Sequence, residues 1–328
     1  MTDREPLHDT CCMPARDGAA VKPEAPPAPP RLAAAPPRLA AAALDHGLIA
    51  IPGGTFQMGT ADAEGFPADG EGPVRSVTLL PFRIAQHAVT NDQFAAFVAA
   101  TGYRTGAEDE GWSFVFNLLV PPARRGAARG IAGGAPWWLG LPGACWHAPA
   151  GPGSTLKGRG DHPVVHTSWD DALAYCAWAG VRLPTEAEWE CAARGGLHGA
   201  RYPWGDDLTP GGKHRCNIWQ GQFPARNTRA DGYVGTAPVG AYPPNGYGLH
   251  NVAGNVWEWC ADWFSATHGR DAAPTAPTGP TIGTARVLRG GSYLCHRSYC
   301  NRYRVAARSS NTPDSSSGNT GFRVAADA

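Results

Sequence analysis

The chain has 328 residues, with 28 Lys and Arg against 28 Asp and Glu, so its formal net charge is zero. Only 17% of residues are charged, which gives no basic excess to grip nucleic acid, and no apolar run is long enough to cross a bilayer. The 42 Gly and 31 Pro predict a chain of loops and short elements, while 12 Trp require a compact interior.

Residues 1–46 form a separate compositional zone, in which PPRLAAA occurs in tandem at Pro29–Ala35 and Pro36–Ala42. This zone reads as a disordered Pro/Ala-rich tail that cannot bury enough apolar surface to fold alone. Its start, MTDREPLHDTCCMPARDG, lacks the apolar core of a secretory signal, which predicts a soluble, cytoplasmic protein. The ordered domain, residues 47–328, opens with LIAIPGGTFQMG, read as a strand, a Gly-Gly turn and a second strand. Three capping boxes then mark helix starts: Thr90 with Gln93, Ser168 with Asp171, and Thr185 with Glu188. The first helix places Phe94, Phe97 and Val98 on one face; the second stops at Gly180 and the third near Gly195. From Tyr103 to Gly160 the sequence is mostly Gly, Pro, Trp and short apolar clusters, which suits a groove wall for an extended peptide or packed coil.

Nine cysteines are scattered at 11, 12, 145, 176, 191, 216, 260, 295 and 300, too sparsely for a secreted disulfide scaffold. Cys176 and Cys191 fall in helical patterns and read as buried small hydrophobes. Cys295 and Cys300 differ, because they stand five positions apart in RVLRGGSYLCHRSYC. On a straight strand their Cα atoms would be about 16 Å apart, so only a turn through HRSY brings the sulfurs together. Such a pair suits a soft ion such as Cu(I), and residue chemistry alone leaves a disulfide open beside it. Four-ligand structural zinc fits less well, because no second Cys pair exists at zinc spacing.

The strings GGSYLCHRSYC and NTPDSSSGNTGFR resemble the C-terminal signature of formylglycine-generating enzymes, which oxidise a sulfatase cysteine to Cα-formylglycine. The resemblance spans roughly residues 48–327 and implies a single coil-rich α+β domain of the C-type-lectin-like kind. It implies that Cys295 and Cys300 hold Cu(I), with Cys300 placed to engage the substrate cysteine. Ser292, Tyr299 and Asn319 match polar residues at that site, and Trp257 matches a ring that walls an oxygen pocket. The bland readings are that Ser292 caps a turn and Trp257 is core. The implied reaction removes a hydrogen from the substrate Cβ with molecular oxygen and an outside reductant, and a thioaldehyde then hydrolyses.

The middle region carries the same resemblance in HRCNIWQGQFPARNTRADGYVGTAPV and GLHNVAGNVWEWCADWF. It implies one structural Ca²⁺ on Asn217, Ile218, Asp231 and Tyr233, and a second on Asn251, Gly254, Val256 and Glu258. Taken as bare sequence these segments would be ordinary turns, since their spacing is not that of an EF-hand. Val305 and Val324 stand where secretory-pathway members carry extra cysteines, which fits a cytoplasmic bacterial type.

The implied partners are unfolded sulfatase polypeptides bearing Cys-x-Pro-x-Arg. The tail contains that string itself, as Cys12, Met13, Pro14, Ala15 and Arg16. It reads as a self-substrate, a competing pseudosubstrate or a coincidence. Two other classes compete with the whole reading. The first is an iron-dependent sulfoxide synthase, for which His162 and His166 have the right spacing; but Ser168 stands where Glu is needed, and no segment supplies the helical bundle. The second is a non-catalytic lectin-like binding module, which would have no use for both Cys295 and Cys300.

Overall fold

The computed structural model describes residues 13–16, 45–267 and 275–328. The chain opens with β1 (Leu48–Ile51), β2 (Gly54–Met58), β3 (Arg75–Leu79) and β4 (Phe82–Ala85). There follow α1 (Asn91–Thr101), α2 (Gly106–Glu110), β5 (Trp112–Phe116), α3 (Pro122–Arg125), β6 (Ile131–Ala132) and β7 (Ala135–Pro142). Next come α4 (Trp169–Ala179), α5 (Glu186–Arg194), β8 (Gly221–Gln222), β9 (Arg226–Asn227) and β10 (Trp257–Trp263). The chain closes with β11 (Arg286–Arg289), β12 (Arg308–Asn311), β13 (Thr320–Phe322) and β14 (Ala325–Asp327).

The three predicted capping boxes are present, each with both reciprocal hydrogen bonds, and start α1, α4 and α5. The predicted stops also hold: Gly180 and Gly195 adopt left-handed backbone at the helix ends. A fourth box, Thr105 with Glu108, starts the five-residue α2. Phe94 and Phe97 are fully buried and Val98 is half-buried, as the periodicity of α1 requires.

The first two strands, β1 and β2, do not pair with each other. β1 pairs with β4, while β2 pairs with β3, and β4 also receives the C-terminal β14. A second sheet runs β12-β11-β10-β13, with β10 and β13 parallel. Residues 103–160 hold more structure than the two readings of packed coil or groove wall require: β5, β7 and β6 form a three-stranded sheet there. A single large core cluster joins Phe94, Phe97, Tyr175 and Trp178 on the helices to Trp257, Trp259 and Phe322 on the second sheet. Cys176 and Cys191 are buried, as small hydrophobes would be. Val305 and Val324 are also buried.

One departure concerns the tail. Met13–Arg16 packs against the domain: Met13 is 3% exposed and Arg16 is 9% exposed. Four residues of that zone therefore belong to the folded body, because Met13 adds apolar area and Arg16 finds polar partners.

Candidate active site

β11 ends at Arg289, and the chain reverses through Gly290 and Gly291, both at positive φ. A Cβ on Gly291 would lie 2.7 Å from the Arg302 carbonyl oxygen, so only glycine allows this crossing. The reversal delivers Ser292, whose carbonyl accepts from the Cys295 amide at 2.9 Å. The His296 carbonyl then accepts from the Tyr299 amide at 2.9 Å and the Cys300 amide at 2.8 Å. This turn through HRSY brings the two sulfurs to 3.1 Å. Both cysteines are 1% exposed.

The contact is not a covalent bond, which would need about 2.05 Å. Cys295 is in no disulfide, nor are Cys145, Cys176, Cys191, Cys216 and Cys260. Cys300 is disulfide-bonded, so the Cys295 S–H is the donor between the pair. The Cys295 sulfur also accepts from the Ser292 amide at 3.4 Å.

Around the sulfurs the predicted residues gather. Asn319, just before β13, donates from Nδ2 to Ser292 Oγ at 2.9 Å. The Trp257 amide donates to the Asn319 carbonyl at 2.8 Å, which fixes Asn319 to the first residue of β10. Tyr299 stacks on Phe223 with ring centroids 4.2 Å apart and meets Trp137 edge-on at 4.9 Å. Ser292, Cys295, Tyr299 and Cys300 line one tight crevice, walled by Trp137, Trp138 and Phe223 and too narrow for a water molecule. Trp257 is set back from that lining. It is fully buried in the apolar cluster that holds both cysteines, and its indole N–H has no acceptor among the described residues.

The three wall rings are what residue-by-residue reading missed. The Trp137–Trp138 pair lies in the segment that suited a groove wall, and that suggestion was the available signal. Phe223 gave none, since nothing near it in sequence marks it as a neighbour of Tyr299.

The oxygen-rich loops have a different character. Gln220 Nε2 donates to the Ile218 carbonyl at 3.2 Å and reaches Asp231 Oδ2 at 3.5 Å, so two of the four proposed ligands converge on one partial positive charge. Asp231 also accepts from the amides of Ile218 and Tyr233, at 3.0 and 3.2 Å. Burial pushes its carboxyl pKa up, a shift that a bound cation would oppose. Asn217 is buried and spends Nδ2 on Gly235 and Asn255. In the second set, Asn251 Oδ1 is buried with no donor among the described residues, which is the kind of orphan oxygen a cation satisfies. Gly254 and Val256 lie on the same loop, and Gly254 is at positive φ. The Glu258 carboxylate is already engaged by Arg323 at 2.8 and 2.9 Å and by Trp189 Nε1 at 2.7 Å. Any cation there would share it. Among the described residues no group of three or more His, Cys, Asp or Glu is arranged to hold a metal; the proposed sets rest partly on carbonyls and amides.

His162 and His166 do not share a ligand. His162 Nδ1 meets Thr236 Oγ1 at 2.9 Å, whereas His166 meets Ser113 Oγ at 2.9 Å and the Pro149 carbonyl at 3.0 Å. Of the tail motif, Pro14 and Arg16 lie against residues 311–316, close to Asn319, and Cys12 lies outside the described residues.

The site is thus a buried two-sulfur turn between short sheets, with few helices around it. The Sulfatase-modifying factor enzyme 1-like domain family matches residues 35–328. Among relatives, the Formylglycine-generating enzyme of Thermomonospora curvata is 65% identical over 284 residues, covering 86% of this chain and 93% of that protein. An Inactive C-alpha-formylglycine-generating enzyme 2 of Bos taurus is 48% identical, covering 86% of this chain and 88% of its own. Among solved structures, PvdO from Pseudomonas aeruginosa superposes with a TM-score of 0.63 at 24% identity, covering 86% of this chain and 94% of that one. The chain belongs to the formylglycine-generating enzyme family. No helix among its described residues is long and apolar enough to cross a membrane.

Proposed function

We propose that this protein oxidises the cysteine of a Cys-x-Pro-x-Arg segment in sulfatase polypeptides to Cα-formylglycine, using Cu(I) and molecular oxygen. The observation that carries the reading is the buried Cys295–Cys300 pair, its sulfurs 3.1 Å apart in a pocket shared with Ser292 and Tyr299. Once Cys300 is reduced, two adjacent thiol sulfurs are the donor set that selects a soft monovalent ion over oxygen-loving cations. Cu(I) held there would supply the one-electron chemistry that lets dioxygen react with a thiol.

The chain's own residues do the rest. Cys295 and, once reduced, Cys300 would hold the ion, and a third sulfur from the substrate would complete its donor set. Ser292 and Asn319 fix the turn that carries Cys295. Trp137, Trp138 and Phe223 exclude water from the pocket, which protects the reacting Cβ until oxidation is complete. Electrons balance as follows: dioxygen takes four to become two waters, and the substrate thiol gives two in becoming a thioaldehyde. An external thiol reductant gives the other two. Water then displaces the sulfur as hydrogen sulfide and leaves the aldehyde. The same reductant must open the disulfide at Cys300 before that residue can offer a thiolate.

Two structural Ca²⁺ ions belong to this reading, one on Asn217, Ile218, Asp231 and Tyr233, and one on Asn251, Gly254, Val256 and Glu258. The convergence at Gln220 and the orphan Asn251 oxygen support them. A cytoplasmic site of action fits the six described cysteines that stand outside disulfides, since reducing compartments keep thiols open.

The test is mass spectrometry of a Cys-Thr-Pro-Ser-Arg peptide incubated with the protein, a thiol reductant and air, with and without copper. Copper-dependent conversion to the aldehyde, absent in Cys300→Ser, is expected. No conversion with copper demonstrably bound would replace this reading with a peptide-binding module.

A further inference from the structure

Met13–Arg16 is held by more partners than a stray segment needs. The Arg16 amide donates to Ser315 Oγ at 2.9 Å, and its guanidinium donates to the Trp112 carbonyl at 2.6 Å and Ser316 Oγ at 3.1 Å. The same guanidinium lies 4.6 Å from the centre of the Trp112 ring and 3.7 Å from the Glu110 carboxylate. Asn311 Nδ2 donates to the Pro14 carbonyl at 3.2 Å. Met13 sits 3.5 Å from Thr320 Oγ1, one residue from the Asn319 that bonds Ser292. Met13 also shares the apolar cluster that holds Cys295 and Cys300, so the segment joins an arginine subsite to the surroundings of the two sulfurs. Proline adds stiffness to such a strand, and arginine adds a charge-assisted anchor.

We propose that this chain's own Met13–Arg16, the described part of its Cys-x-Pro-x-Arg string, is a competitor in cis, a pseudosubstrate that covers the face where an incoming peptide binds and must be displaced by it. The proposal rests on the functional reading above only for the identity of the incoming peptide. One set of partners around Trp112, Glu110, Ser315 and Ser316 cannot hold two arginines at once. A tethered occupant meets the groove at a high effective concentration, on the order of millimolar for short linkers. It therefore outcompetes free peptide of equal intrinsic affinity until that peptide reaches the same level. Sulfatase segments that bind must offer contacts beyond the shared Pro and Arg.

The experiment measures fluorescence anisotropy of a labelled Ser-Thr-Pro-Ser-Arg peptide, which cannot react, against the full chain and its Arg16→Ala variant. Amide hydrogen exchange at Arg16 is followed in the parent. The variant should bind the peptide more tightly, by about tenfold if the tail leaves the groove open a tenth of the time. Arg16 should be protected in the free chain and exchange faster at saturating peptide. Unchanged or weaker affinity in Arg16→Ala, or an unprotected Arg16 amide in the free chain, would overturn the proposal. Turnover of the cysteine-bearing peptide is measured separately. Its absence beside a tenfold gain in affinity would remove the catalytic reading and leave the competition intact.

Discussion

At the scale of single residues, the two sulfurs and one histidine carry the sharpest expectations. Cys295→Ser and Cys300→Ser should each lower turnover of a Cys-x-Pro-x-Arg peptide by roughly a thousandfold or more, because members of a catalytic unit fail together. Steady-state kinetics would check this, and a loss under tenfold in either would remove that cysteine from the chemistry. His166 is fully buried, and burial is the first cause that lowers its pKa from 6.5 to about 4, with the charge of Arg16 adding to it. Its Nε2–H donates to the Pro149 carbonyl, so Nδ1 is left to accept from Ser113. The folded state thus favours neutral His166, while the unfolded chain takes a proton near pH 6.5. The stabilisation is complete above pH 6.5 and is lost as pH falls from 6.5 through 4, by about 3 kcal/mol. Urea unfolding of the parent and His166→Gln at pH 7.5, 5.5 and 4.5 would show it. A variant that loses as much stability as the parent over that window would contradict the assignment.

At the scale of elements, α5 shows how a short helix is fixed in a coil-rich fold. Its N-terminus is capped by Thr185, and its buried face carries two carboxylates into the second sheet. Glu186 bonds Arg308 at 2.5 and 2.8 Å, and Glu190 bonds Arg194 at 2.6 Å and also Arg289 of β11. Arg289 and Glu190 are 0% and 1% exposed, so neither can recover water if its partner is removed. Glu190→Ala should therefore cost about 3–5 kcal/mol, since it strands two buried guanidinium groups. Thr185→Ala should cost about 1 kcal/mol, the usual worth of a cap. Denaturation midpoints of both variants would test the ranking, and equal costs would mean that the network is relaxed by water. The Thr105 box of α2 went unread because five residues are too few for a periodic apolar face to announce a helix.

At the scale of the whole molecule, long-range pairings replace the large regular elements that the fold lacks, and the proposed ions would add to them. Calcium on the loops of Asn217–Tyr233 and Asn251–Glu258 should raise stability by about 2.7 kcal/mol per site at a hundredfold excess over Kd. Calorimetry with and without chelator should show a lower melting temperature after chelation, and Asp231→Ala should lose part of that response. A melting temperature indifferent to calcium would make both loops self-sufficient. The helix caps, the glycine stops and the turn through HRSY were all legible in sequence. Each depends on groups within a few positions of one another, and a long irregular string such as GGSYLCHRSYC identifies its relatives. The wall rings Trp137, Trp138 and Phe223, the pairing of β1 with β4 and the parallel union of β10 with β13 were decided only in three dimensions. So was the docking of Arg16 on Ser315, 299 positions away. Such contacts follow from which apolar and polar surfaces bury one another after the chain closes long loops, and no local pattern of residues encodes that choice.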